Sequence, residues 1–344
     1  MSQVSDQRAV PVAVIGVGGF GRHHARIYRD HPGAELVCVI DANESRHAEL
    51  QETYGVPVFS SVAELPERVE AVSVAVPTRF HAEIAEPLLV RGVSTLVEKP
   101  MVRNVEEGRA LIRAAESSGA VLQVGHVERF NPAVRAIRDH DVTPRYLEAQ
   151  RVAPFSFRSA DVGVVLDLMI HDIDLVLSLV RSEPVRVEAV GVPVLTGCED
   201  IANARVEFAN GAVASFTASR VATKVERRLR VFSPSSYLTV DFGSREGWFY
   251  RKSAELSVDR VRELAQDAAS LADLKGVVFG DLLDVERLQV SEGDALTDEI
   301  GHFLDCVRRR GRPEVSGVEG LAAVSLALDV LAAIQRSPAN KPTE

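Results

Sequence analysis

The sequence predicts an α/β protein, with an N-terminal doubly wound parallel sheet followed by an α+β domain built on a large, mostly antiparallel open sheet. Three observations carry this. A glycine-rich turn, Gly16-x-Gly18-Gly19-Phe20-Gly21, follows the apolar run from Val10 to Ile15. Strand and helix signals then alternate through the first third of the chain, as units of strand, crossover helix and parallel strand require. Beyond residue 125 the rhythm becomes a period-two alternation of apolar and polar residues, the pattern of a sheet with one covered face. The division is placed at residue 125, with 1–125 as the parallel domain and 126–344 as the second.

The run before Gly16 is short and β-branched, as a strand buried on both faces should be, and Ala25, Ile27 and Tyr28 suit a helix lying on the sheet. A second strand, Leu36 to Ile40, ends in Asp41. A polar helical stretch from Glu44 to Tyr54, a short strand near Val56 to Phe59 and a strong strand from Ala71 to Val76 follow. The helix from about His81 to Arg91 stops at Gly92, and the strand Thr95 to Val97 leads to the helix Val105 to Ser117 and the strand Val121 to Val124. In the second domain a helix, Val164 to Val180, precedes strands in Val185 to Val192, in Ala204 to Thr217 about an Asn210-Gly211 turn, and in Leu229 to Asp241. Two helices close the chain; the last starts at Ser316 with Glu319 three residues on, a capping-box pattern. The charged segment from Arg251 to Lys275 reads as an insertion or an exposed helix.

At 344 residues the chain suits two domains, and 46% hydrophobic residues can fill two cores. A net charge of -10 leaves no basic surface for nucleic acid, so an anionic ligand must be met by locally placed arginines. The N-terminus has no signal-peptide pattern, and the apolar runs are broken by Asp167, His171, Asp172 and Asp174, or by Asp329. No membrane span and a cytoplasmic location are therefore expected. Cys38, Cys198 and Cys306 are scattered and indicate neither a disulfide framework nor a metal site.

A chain with 23 glycines produces G-x-G-x-x-G by accident now and then, so context decides its meaning. Here the turn sits between strand and helix. The first glycine permits the turn, the second lets a pyrophosphate approach the backbone, and the third allows close helix-to-strand packing. Asp41, at the next strand end, is placed to hold the adenosine ribose hydroxyls and to repel a 2′-phosphate, which favours NAD over NADP; Arg46 lies close enough to blur that preference. Two further strand ends carry polar groups, Pro77-Thr78-Arg79-Phe80-His81 and Glu98-Lys99-Pro100. A lysine leaving a buried strand beside cofactor and substrate can polarise an alcohol oxygen, although a strand-end lysine can also simply face solvent. In "DLMIHDIDLVLSL", Asp167, His171 and Asp174 share one α-helical face while Asp172 points elsewhere. A histidine oriented by a carboxylate one turn earlier suits a proton acceptor; a satisfied core histidine is the alternative.

Together these residues resemble the Gfo/Idh/MocA oxidoreductases over essentially the whole chain. The matching motifs are Gly16-x-Gly18-x-x-Gly21 with His24, Asp41, Pro77-Thr78 with His81, Glu98-Lys99-Pro100, Arg129-Phe130 with Pro132, and Asp167-x-x-x-His171. The resemblance implies a Rossmann domain that binds NAD through Gly16, Gly18, Gly19, Phe20, Gly21, Asp41, Pro77, Thr78, His81, Glu98 and Lys99. It implies a second domain whose open sheet commonly forms subunit interfaces, hence a homo-oligomer, dimer or tetramer. It also implies that Lys99 and His171 do the proton work, with Asp167 assisting. Family members often carry a glycine cluster before the helix, where Asp161-Val-Gly-Val-Val165 retains one glycine.

The stretches "GHVERFNPAVRAI", "DLMIHDIDLVLSLV" and "EDIANARVEFANGAVASFTASRV" are similar to the branch that oxidises UDP-N-acetylglucosamine to its 3-keto form, whose product a PLP-dependent aminotransferase consumes for a diamino-sugar lipid A. For a UDP-sugar substrate the diphosphate needs cations. Arg129, Arg151, Arg158 and Arg220 are candidates, each also readable as an ion-pair residue, with Arg129 and Arg158 preferred. Asn131 suits a sugar hydroxyl or a turn before Pro132, and Asp167 and His171 complete the substrate set. A dehydrogenase of a free polyol, sugar or sugar acid shares the mechanism. A non-enzymatic nucleotide-sensing regulator on this fold need not retain Lys99, Asp167 and His171.

Overall fold

The computed structural model describes residues 8–138, 140, 142–156, 162–253, 257, 259, 262 and 283–337. The chain forms two compact units, Met1–Phe130 with Gly293–Leu328, and Asn131–Glu292 with Asp329–Glu344.

In the first unit β1 (Val10–Ile15), β2 (Ala34–Ile40), β3 (Val58–Phe59), β4 (Ala71–Val74), β5 (Ser94–Glu98) and β6 (Leu122–Gly125) form a six-stranded sheet in the order β3-β2-β1-β4-β5-β6. Every pair is parallel. The crossovers are α1 (Gly21–Asp30), α2 (His47–Tyr54), α3 (His81–Val90) and α4 (Val105–Ser118). Alternation along β1 sends Val12 and Val14 into one core with Ala25 and Tyr28, and Ala13 and Ile15 into another with Val72 and Leu88. Both faces are covered, which explains the unbroken apolar run. Strand order reverses between β1 and β4, and this opens a crevice at their carboxyl ends.

The first core also takes Ile300, Phe303 and Leu304 from a late helix, Ala295–Arg309. Residues 293–328 thus belong to the first compact unit, whereas the division drawn from the sequence at residue 125 placed them in the second domain. A chain excursion that returns leaves no local signal at its boundary.

The second unit holds an eight-stranded sheet. Its strands are β7 (Tyr146–Val152), β8 (Pro184–Val192), β9 (Ile201–Phe208), β10 (Val213–Ser219), β11 (Glu226–Phe232), β12 (Ser236–Asp241), β13 (Glu246–Lys252) and β14 (Leu283–Arg287), in the order β14-β13-β12-β11-β7-β10-β9-β8. Only β7 and β10 pair in parallel. The helices among the described residues before β14 are α5 (Pro132–Arg138) and α6 (Ile170–Val180), the latter preceded by one π-helical turn, Val165–Met169. One sheet face buries Leu147, Ala149, Phe216, Leu229, Leu238 and Phe249. The other carries a ladder of rings, Tyr146, Phe232, Tyr237 and Tyr250, with successive centroids 5.7, 4.7 and 5.2 Å apart. The Asn210-Gly211 hairpin forms as expected, with Gly211 at φ +83° and Asn210 Oδ1 accepting from the Ala212 N–H at 3.0 Å. Most of the charged segment 251–275 lies outside the described residues.

The Ala295–Arg309 helix is α7, and α8 (Gly317–Arg336) follows it. The capping box at its start is present, with Glu319 Oε2 accepting from the Ser316 N–H at 2.9 Å. Against the expectation that Asp329 rules out a span, α8 is long and apolar enough to cross a membrane by length and composition, with a mean hydropathy of 1.8 over its best window. Half of that window is buried. The apolarity serves close packing: a Cβ on Gly320 would lie 2.5 Å from Val124, and Ile334 packs on Gly191.

Candidate functional site

The glycine turn after β1 divides its labour. Gly16 has φ +85°, and a Cβ there would lie 2.7 Å from Val76 Cγ1 and 2.9 Å from the Ala75 oxygen. At Gly21 a Cβ would collide with the Gly16 oxygen. At Gly18 it would meet no described atom within 4 Å. The outer glycines are therefore demanded by the protein itself, while the middle one leaves open space against the backbone. Beside it, Asp41 Oδ2 accepts from the Val17 N–H and Oδ1 from the Asn43 N–H, both at 3.0 Å. A carboxylate oxygen pinned by one donor keeps a further lone pair, enough for a ribose hydroxyl. Arg46 Nη1 donates to the Val17 oxygen at 2.9 Å and stands 3.5 Å from Asp41 Oδ2. This loop, with Phe20 42% exposed at the start of α1, fits the diphosphate and ribose of NAD.

The ends of β4 and β5 are tied by His81. Its ring is 1% exposed, with Nε2 2.8 Å from the Val76 oxygen and Nδ1 3.0 Å from the Pro100 oxygen. Burial lowers its pKa, against the opposing effect of those carbonyls and Glu98. His81 therefore braces the loops that Pro77 and Thr78 share with Lys99. Glu98 also faces inward. It is 8% exposed, its Oε1 lies 3.0 Å from His24 Nε2, and its Oε2 accepts from the Lys99 N–H at 3.2 Å. Half-buried Lys99 follows, through a cis peptide bond to Pro100. His126, after β6, is fully buried; burial, then Lys99 and Arg129, push its pKa down to about 3. A neutral imidazole thus stands within the electrostatic reach of Lys99, a feature the sequence motifs left without a role.

Three arginines considered for a diphosphate face carboxylates instead. Arg129 is 7% exposed, with Nε 3.6 Å from Glu314 Oε1 and Nη2 3.5 Å from the Glu314 oxygen. Arg151 Nη2 and Nε donate to Asp172 Oδ1 at 2.8 and 3.1 Å, with both residues buried. Arg220 Nε donates to Asp200 Oδ1 at 2.6 Å and Nη1 to the Val162 oxygen at 2.6 Å. Arg158 and Asp161 lie outside the described residues. Asn131 Oδ1 accepts from the Ala133 N–H at 3.0 Å, which is the turn role left open by the sequence.

Asp167 sits on the π turn and His171 just after it, both half-buried. A π turn winds fewer degrees per residue than an α-helix, so Asp174 drifts off the face of Asp167, while Asp167 and His171, four positions apart, keep a common face. Asp174 is 2% exposed, a core position, and Asp172, expected to point elsewhere, supplies the buried partner of Arg151. The turn is held from outside the helix: Glu199 accepts from the Val164 N–H through its backbone oxygen at 3.0 Å and from the Val165 N–H through Oε1 at 3.2 Å. The next residue, Asp200, is fully buried. Burial would raise its pKa, but the Leu195 and Thr196 N–H groups, the Arg220 guanidinium and the Val194 N–H hold it well below the usual carboxylate range. Sequence reasoning gave Glu199 and Asp200 no site role; their only signal was two acids in a turn before a strand.

Residues 10–126 match the oxidoreductase family model for an NAD-binding Rossmann fold, and residues 133–234 match the GFO/IDH/MocA C-terminal domain. The UDP-N-acetylglucosamine 3-dehydrogenase of Acidithiobacillus ferrooxidans is 38% identical over 323 residues, covering 94% of this chain and 96% of that protein. Its solved structure superposes with a TM-score of 0.83 at 36% identity, covering 95% of this chain and 98% of that one. An NAD+-dependent scyllo-inositol 2-dehydrogenase of Bacillus subtilis is 26% identical over 347 residues, covering 95% and 94% of the two chains. Levoglucosan dehydrogenase in complex with NADH and L-sorbose, at 20% identity and a TM-score of 0.78 over 96% of this chain and 97% of its own, shares the fold. With both domain types matched in order around the glycine turn and its acid, this chain belongs to the Gfo/Idh/MocA oxidoreductases, as an NAD-dependent dehydrogenase acting on CH–OH groups.

Proposed function

We propose that this enzyme oxidises the 3-hydroxyl of UDP-N-acetylglucosamine to the 3-keto sugar nucleotide. The observation that carries the reading is the end-to-end similarity to the Acidithiobacillus enzyme, 38% over 96% of its length, against 26% for the inositol enzyme. NAD, when bound, takes the hydride. In this reading the Lys99 Nζ, as the neutral amine, and the His171 imidazole handle the alcohol proton, and Asp167 orients the histidine. Asp41 selects NAD through the ribose hydroxyls, and the turn from Gly16 to Gly21 receives the dinucleotide diphosphate. Arg129 lies beside Glu314, so Arg158 is preferred for the substrate diphosphate, with Arg129 kept as the second candidate, and Asn131 for a sugar hydroxyl. The ring-bearing sheet face is assigned to a second copy, as a dimer or tetramer. A 3-keto sugar is a carbonyl acceptor, so a PLP-dependent aminotransferase is the class of enzyme that would consume it.

The test is incubation with NAD and a panel of UDP sugars, inositols and free sugars, following NADH absorbance and the mass of any product two hydrogens lighter. Oxidation of UDP-N-acetylglucosamine, competed by UDP, is the expected result. Robust turnover of an inositol or free sugar with no inhibition by UDP overturns the sugar-nucleotide reading and leaves the polyol reading in its place.

A further inference from the structure

Behind Lys99 runs a line of buried polar side chains that the dehydrogenase chemistry does not itself require. Tyr28 Oη lies 2.9 Å from Ser73 Oγ, Ser73 Oγ 3.1 Å from His24 Nδ1, and His24 Nε2 3.0 Å from Glu98 Oε1. Tyr28, Ser73 and His24 are all fully buried, on α1 and β4, beneath a carboxylate at the end of β5. An ionised carboxylate accepts only, and with a neutral His24 imidazole this orients every donor in turn. His24 donates from Nε2, so its Nδ1 accepts; Ser73 then donates to Nδ1 and accepts from the Tyr28 hydroxyl. All the donors point the same way, toward Glu98. Burial pushes the Tyr28 pKa well above its ordinary value, so that hydroxyl keeps its proton as the terminal donor.

The other Glu98 oxygen accepts from the Lys99 N–H at 3.2 Å. The carboxylate is also walled in: a Cβ on Gly125 would lie 2.6 Å from Oε1. The Phe20 ring stands edge-on to His24 at 5.4 Å, which places the glycine turn against the same line.

We propose that Tyr28, Ser73 and His24 are positioning residues that fix the Glu98 carboxylate and, through its bond to the Lys99 N–H, the backbone from which the lysine leaves. The proposal rests on the reading of Lys99 as the proton-handling lysine. Loosening the line frees the carboxylate and the strand end it holds, so the lysine is misplaced for proton transfer while the glycine turn and Asp41 are untouched. The other groups facing this cluster are His126 and Arg129 after β6, His81 on α3 and, acting on Tyr28, Glu299 on α7. None of them is altered in the variants below.

The test is the split between kcat, with the substrate that the panel identifies, and the Kd for NAD. In His24→Leu kcat should fall by about tenfold to 100-fold with the Kd for NAD unchanged. Ser73→Ala, the least disruptive change, should lower kcat by less, and it serves in place of His24→Leu if that variant does not fold. His24→Gln, which keeps a donor toward Glu98, should recover most of the loss. Wild-type kcat in folded His24→Leu or Ser73→Ala overturns the proposal, as does a His24→Gln no better than His24→Leu. Turnover of Lys99→Ala is the separate control. Wild-type turnover there overturns the proton role of Lys99, while loss of turnover there with wild-type kcat in the line variants overturns the positioning line alone.

Discussion

In the first unit the polar groups sit at consecutive strand ends, each announced by a short motif, whereas in the second they are assembled from residues 20 or 21 positions apart by a π turn and a gripping loop. The difference is one of construction. A parallel sheet delivers the end of every strand to the same edge, so Asp41, the Pro77-Thr78 turn and Lys99 arrive together because of topology. The second unit has no such edge. Asp167 and His171 stand where they do because Glu199 binds the N–H groups of Val164 and Val165, and Asp200 with Arg220 holds the adjoining Val162.

The largest effect that sharpens this contrast is on turnover. Lys99→Ala and His171→Ala should each lose ~100-fold to 10,000-fold in kcat with NAD binding largely intact, since neither touches the glycine turn or Asp41. Steady-state rates and NAD titration check this. Wild-type turnover in His171→Ala would remove the second unit from the proton chemistry.

The next effect is on stability. Arg151→Met or Arg220→Met strands a buried carboxylate, Asp172 or Asp200, and breaking one partner of such a pair costs about 3–5 kcal/mol. The loss should appear in denaturant unfolding of the second unit, followed through Trp248 on β13, the single tryptophan of the chain. The KM for a UDP sugar should hardly move in the folded fraction. A raised KM with native stability would return these arginines to diphosphate binding.

What could be read from the sequence follows the same division. The turn from Gly16 to Gly21, Asp41 and the Glu98-Lys99-Pro100 strand end depend on local order along the chain, and each lies at the edge where the pattern put it. The covered and open faces of the second sheet were also legible, because strand alternation is a local property. The partners were not. Asp172 was read as pointing away from the Asp167 and His171 face, as its bond to Arg151 bears out, but nothing in the sequence named that arginine as its partner. The arginines looked like anion binders because a sequence shows a cation without showing the acid that neutralises it. α7 was assigned to the wrong side of residue 125 because nothing in its own amphipathic pattern says which core it fills.

Acid should separate the units by pH. His126 has a folded pKa depressed to about 3, so the unfolded chain takes up its proton first as pH falls. Stability of the first unit should begin to fall near pH ~6.5, the ordinary histidine value, and the loss should be complete by about pH 3. Asp200 has a depressed folded pKa as well, but for a carboxylate this contributes stability above the unfolded value of ~3.9, lost only as pH drops below it. Between pH ~6 and ~4.5, NAD binding by the first unit should weaken while Trp248 still reports a folded second unit. His126→Gln should remove most of the early phase, the remainder falling to His81, whose pKa burial also lowers. Simultaneous loss of both signals at one pH in that variant and in the parent would break the contrast.

The smallest effect concerns the two charges beside the glycine turn. Asp41 is pinned by the N–H groups of Val17 and Asn43, so its carboxylate cannot swing away from a 2′-phosphate, and NAD should bind more tightly than NADP. Asp41→Ala should narrow that preference by about tenfold, the equivalent of ~1.4 kcal/mol. Arg46 works in the opposite sense: 3.5 Å from Asp41 Oδ2 and anchored on the Val17 oxygen, it offsets part of the repulsion. Arg46→Ala should therefore widen the preference, by only about twofold to fivefold, because a half-exposed ion pair contributes ~1 kcal/mol or less. Salt distinguishes the two contributions. Raising ionic strength should shrink the Arg46 effect, whose guanidinium is 31% exposed, more than that of Asp41, whose carboxylate is 13% exposed. Equal NAD and NADP affinities at low salt in the parent would show that Arg46 outweighs Asp41, and Arg46→Ala would then have to restore the preference for NAD.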